Sequence, residues 1–69
     1  MDEMRSIAET LPEQIARVQG MIDLYKEYPH GKFTAALMQR DVDAAHKAMK
    51  QDDLAGMIKA YKALLEWED

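Results

Sequence analysis

The sequence contains no cysteine, which excludes disulfide bonds, thiolate nucleophiles and cysteine-ligated zinc or iron–sulfur sites. Three glycines and two prolines among 69 residues are too few for a collagen-like chain or a disordered tail. No apolar run approaches the roughly 20 residues of a membrane-spanning helix. The start Met1-Asp2-Glu3 is acidic, unlike the basic start of a secretory signal. We therefore expect a soluble, cytoplasmic protein with no membrane partner.

What the chain does contain is 48% hydrophobic and 32% charged residues, with a formal net charge of −4. The length allows one helical domain, residues 1–69. A negative net charge disfavours general binding to a phosphate backbone. A chain this short, without disulfides or a metal, buries little apolar surface relative to the entropy it loses on folding. Association with a partner is therefore an expected source of stability.

The first predicted helix spans about residues 11–28. Its apolar stripe, with spacings of four and three, is formed by Leu11, Ile15, Val18, Ile22 and Tyr25. We predict Thr10 as the N-cap, with Pro12 in the first turn, and a helix break at Pro29–Gly31. Residues 1–9 either form a short helix docked on the rest or fray.

Two more helices are predicted, at about residues 32–50 and 53–67. The middle helix carries two apolar stripes, one at Phe33, Leu37, Ala44 and Ala48 and the other at Met38, Val42, Ala45 and Met49. Two stripes are typical of a helix that contacts neighbours on both sides. Asp52 and Asp53 are candidate N-caps of the third helix. Its apolar face comprises Leu54, Met57, Ile58, Tyr61, Leu64 and Leu65.

Short breaks between the three predicted helices favour an all-α, antiparallel three-helix bundle. The alternative is a helical hairpin that completes its core by homodimerisation. In that case both faces of the middle helix would be buried between two copies of the chain.

Candidates for catalysis are few. The hydroxyl residues Ser6, Thr10 and Thr34 lie in no recognisable catalytic motif. Asp43 and His46 are three residues apart on one helix, which is half of a helix-bundle metal site. A solvent-exposed helix face explains this pair more simply. We predict no enzyme activity, no catalytic residue, no cofactor and no metal; a metal-dependent enzyme centred on Asp43 and His46 is the alternative.

A cluster of lysines in the second half of the chain suggests a different alternative, a nucleic-acid-associated regulator that uses the Lys47–Lys62 region. The cluster comprises Lys47, Lys50, Lys59 and Lys62. Asp43, Asp52, Asp53 and Glu66 are interleaved with these lysines, and no aromatic residues are placed for base stacking. A mixed-charge, solvent-exposed surface is the simpler interpretation.

Methionines and aromatic residues give the leading hypothesis. Six methionines are many for a chain of 69 residues, and methionine fills irregular cores or lines adaptable binding surfaces. We predict a non-enzymatic protein–protein interaction module, a homodimer or other homo-oligomer with a protein partner. Its candidate partner-binding residues are Tyr25, Tyr28, Met57, Tyr61 and Trp67. The alternative places these side chains in an ordinary core.

A set of residues spread over positions 11–67 resembles small uncharacterised bacterial and prophage-borne proteins. They are Leu11-Pro12-Glu13-Gln14-Ile15-Ala16-Arg17-Val18, Tyr25, Gly31, Phe33, Met38, Met57, Tyr61 and Leu64. The resemblance implies a small intracellular all-helical protein, with a phage or an integrated element as one source. It carries over no activity and no site residue.

Overall fold

The computed structural model describes the backbone of residues 3–68 and the side chains of residues 7–68. This part of the chain is all-helical, as the sequence predicts. Its elements are α1 (Glu3–Tyr25), a 3-10 turn (Pro29–Gly31), α2 (Lys32–Lys50) and α3 (Leu54–Leu65). Each α-helix contacts the other two, so the three form a bundle.

Helix α1 begins at Glu3, earlier than predicted, and continues without a break through Pro12. Thr10 therefore lies inside the helix, and its prediction as the N-cap is wrong. Pro12 has no N–H to donate to the carbonyl of Ala8, but Ala8 is exposed and water can reach that carbonyl. Leu11 and Ile15, on either side of Pro12, are both buried, which favours a continuous helix here. Residues 1 and 2 lie outside the described residues.

The connections between helices follow local sequence signals. Tyr28 precedes Pro29 and has extended backbone angles, φ −111° and ψ 137°, because proline disfavours helical geometry in the residue before it. Helix α1 ends at Tyr25, three residues before the predicted end. Asp53 is the N-cap of α3, as predicted, and its carboxylate oxygen Oδ1 accepts a hydrogen bond of 3.0 Å from the backbone N–H of Gly56.

Helix α2 contacts both α1 and α3, and its two predicted apolar stripes are buried to different extents. The buried hydrophobic residues of the core are Leu11, Ile15, Val18, Met21, Ile22, Ala35, Met38, Val42, Ala45, Ala48, Ala60 and Leu64. The stripe that begins at Met38 thus faces the core. The stripe that begins at Phe33 is mostly outside it, and Phe33 itself is 75% exposed.

The three helices differ greatly in length. With 23, 19 and 12 residues, α1, α2 and α3 are about 35, 29 and 18 Å long at about 1.5 Å per residue. The bundle is accordingly elongated, 42 × 21 × 14 Å. Helix α3 can therefore cover only part of the hairpin formed by α1 and α2.

Two glycines allow a matched test of this backbone arrangement. A Cβ atom added at Gly31 would overlap the backbone carbonyl oxygen of Tyr25, whereas a Cβ atom at Gly20 would meet nothing within 4 Å. We expect Gly31→Ala to lower the free energy of unfolding by about 2 kcal/mol because the turn must shift. Gly20→Ala should raise it by about 0.5–1 kcal/mol, since alanine favours the helix. Urea denaturation followed by circular dichroism measures both changes, and equal effects of the two substitutions would contradict this packing.

Candidate interaction surface

Arg17 of α1 holds the C-terminal end of α3. Its Nη2 donates hydrogen bonds to the backbone carbonyl oxygens of Leu64, at 2.9 Å, and Trp67, at 2.7 Å. Carbonyl groups at a helix C-terminus have few intrahelical donors, and a positive charge there is also favourable for the helix dipole. The Nε of Arg17 donates to Oε1 of Gln14 at 2.9 Å, which orients the guanidinium group.

Trp67 joins the same end of α3 to α2. Its indole Nε1 donates a 2.8 Å hydrogen bond to Oδ2 of Asp41, and its half-buried ring packs against the core. A buried indole usually satisfies its N–H in this way. Arg17, Asp41 and Trp67 therefore connect all three helices at one level of the bundle, and α3 ends at that level.

Beyond this level, α1 and α2 continue without α3. Leu24 lies on the part of α1 that extends past this level, and Tyr28 follows in the connection between α1 and α2. Leu24 is 52% exposed, Tyr28 is 58% exposed, and Phe33, at the start of α2, is 75% exposed. We call these three residues the end surface. An open cleft of about 410 Å³ leads from Arg17 to Leu24 along α1.

The structure separates the five predicted partner-binding residues. Tyr28 lies on the end surface, and half-buried Tyr25 packs against the core beside it. The other three, Met57, Tyr61 and Trp67, are half-buried and pack against the core from the α3 side.

Leu24 and Phe33 both fit an apolar helical pattern, so the sequence does not mark them as surface residues. The structure settles which apolar face of α2 is buried, and therefore which way Phe33 points. Phe33 precedes the buried Ala35 by two residues, which on a helix is a rotation of about 200°. A side chain at that position points away from the core that Ala35 faces.

A second cleft, of about 390 Å³, lies between α2 and α3. Small residues form much of its wall: Ala44, Ala48, Gly56, Ala60 and Ala63. Lys47 and Lys59 line this cleft together with Asp41 and Asp53. Two of the four lysines considered for nucleic-acid contact thus share a cleft with an equal number of carboxylates.

The candidate metal pair lies on the exposed surface of α2. Asp43 accepts a 2.9 Å hydrogen bond from Nε2 of Gln39, and His46 is exposed. Among the described residues, no three histidine, aspartate or glutamate side chains are grouped so that they could hold a metal ion. Within the same residues, no helix combines the length and the apolar character that crossing a membrane requires.

Comparison of the chain with protein-family models, curated proteins and solved structures finds no match.

The hydrogen bonds of Arg17 lead to a stability prediction. Arg17→Ala removes the donor to both carbonyl groups at the end of α3 and should lower the free energy of unfolding by about 2 kcal/mol. Arg17→Lys should restore less than half of this loss, because an ammonium group lacks the planar fork of guanidinium. Arg40→Ala, at an exposed position of α2, is the matched control, with an expected change within about 0.5 kcal/mol. Chemical denaturation of the three variants measures these differences, and a loss with Arg40→Ala as large as that with Arg17→Ala would refute the anchoring role.

Proposed function

We propose that this chain is a non-enzymatic, helical protein–protein interaction module that binds through its end surface. The observation that carries the proposal is the exposure of Leu24, Tyr28 and Phe33 where α3 stops. Large apolar side chains exposed near one end of a small protein favour a contact site, because water contact with them is unfavourable. Aromatic residues are also enriched at the centres of protein interfaces.

Within this proposal the aromatic residues have two roles. Tyr28 and Phe33 are the main anchors, and Leu24, which lines the cleft along α1, is the third. Tyr25 supports the surface from its half-buried position. Met57, Tyr61 and Trp67, predicted above as anchors, instead hold α3 on the hairpin, because each packs against the core.

A resemblance to small bacterial and prophage-borne helical proteins is compatible with this role, and with a place in the cytoplasm, but it supplies no partner. The nucleic-acid alternative has weaker support, because Lys47 and Lys59 lie beside Asp41 and Asp53 in one cleft. A surface of balanced charge gives little attraction to a phosphate backbone.

Site-specific photo-crosslinking in living cells tests the proposal. We would place p-benzoylphenylalanine at position 33, on the end surface, and in a control chain at position 46. His46 is exposed on the same helix, about 20 Å further along the axis at about 1.5 Å per residue. We expect a discrete crosslinked protein from position 33 and none from position 46.

The crosslinked protein is then identified by mass spectrometry and mixed with the purified chain. The proposal requires that it binds, and that Leu24→Gln weakens binding while the far-ultraviolet circular dichroism spectrum stays the same. Absence of an adduct at position 33, or equal adducts at both positions, would argue against the end surface as the contact site.

A further inference from the structure

The end surface belongs to a layer of only two helices. Two packed helices leave apolar residues exposed on their open side unless another layer covers them. Four antiparallel helices enclose a core, as in up-and-down bundles. Consider two copies of this chain whose α1–α2 hairpins overlap at the ends that carry the Pro29–Gly31 turn. Together they would supply four helices where each copy alone has two.

We propose that the partner on the end surface is a second copy of this chain, bound in a two-fold, head-to-head arrangement. This inference rests on the proposed function and names the partner of the same surface. In a two-fold contact the same residues are used on both sides, so that each copy contributes Leu24, Tyr28 and Phe33.

Charge around the end surface favours a second copy over a strongly charged partner. The segment 23–33, which carries the end surface, contains four formally charged residues, Asp23, Lys26, Glu27 and Lys32, all of them exposed. Their formal charges cancel, whereas the whole chain carries −4. Two copies that meet here avoid the repulsion that their net charges would cause elsewhere, and the two signs can pair across the contact.

The accessible surface of the chain also fits a dimer. It measures 5074 Å², whereas a compact monomer of 7.9 kDa is expected to expose about 4,400 Å². The excess of about 650 Å² approaches the roughly 800 Å² that each partner buries in a standard interface. A contact of that size would bring each copy close to the surface expected of a compact protein.

Sedimentation equilibrium of the purified chain, from about 1 to 500 µM, tests the inference over the range of ordinary dimer affinities. We expect a reversible change from 7.9 kDa to twice that mass as the concentration rises. Phe33→Ser and Leu24→Gln should each weaken dimerisation by at least about a hundredfold, because each substitution acts twice in a two-fold contact. Ile58→Ser, at a residue 37% exposed on α3, is the matched control and should leave the dissociation constant within about threefold.

Circular dichroism keeps loss of dimerisation distinct from loss of folding. Phe33→Ser and Leu24→Gln should retain the helical spectrum of the parent chain, because both side chains are mostly exposed in the single copy. A chain that stays monomeric up to about 500 µM overturns the inference. So does a dimer that Ile58→Ser disrupts as strongly as Phe33→Ser.

These outcomes are separate from those of the crosslinking experiment. If position 33 crosslinks a different protein while the purified chain stays monomeric, self-association fails and the interaction module stands. If neither experiment gives a contact at position 33, both proposals fail.

Discussion

The rest of the structure depends on one constraint: α3 is short, and hydrogen bonds hold its C-terminal end at a fixed position along the other two helices. A helix of 12 residues lies against helices of 23 and 19 residues. Arg17 binds the carbonyl groups at the end of α3, and Trp67 binds Asp41 of α2. Because these contacts come from both long helices, they fix how far α3 extends along the hairpin.

This constraint divides the bundle into two parts with different surfaces. Where α3 is present, three helices enclose fully buried side chains such as Leu11, Val42 and Leu64. Where it is absent, Leu24 and Phe33 remain in contact with water. Ile58 and Leu65 of α3 are also exposed, but less so than Leu24 and Phe33. The proposed contact with a second copy rests on this difference, because no third helix covers the open part.

Much of the fold could be predicted from the sequence, because local patterns determine it. The apolar spacing of α1, the effect of Pro29 on Tyr28 and the N-cap at Asp53 are all local. The start of α1 is harder to predict, because Thr10 and Pro12 form a cap-like pattern within a continuous helical spacing. The surface was harder to predict, because exposure of Leu24 depends on where α3 stops. That position is fixed by the contacts of Arg17 with Leu64 and Trp67, which are 47 and 50 positions away from it along the chain. A local sequence pattern contains no information about contacts at this separation.

The most direct measurement of the proposed contact is an isotope-filtered nuclear Overhauser experiment on a mixture of ¹³C-labelled and unlabelled chains. It detects only contacts between different copies. We predict cross-peaks that involve Leu24, Tyr28 and Phe33, and none from Ala44 or Ala63 in the cleft between α2 and α3. Absence of intermolecular cross-peaks at concentrations where a dimer would be populated, or cross-peaks confined to that cleft, would contradict the assignment of the end surface as the contact between copies.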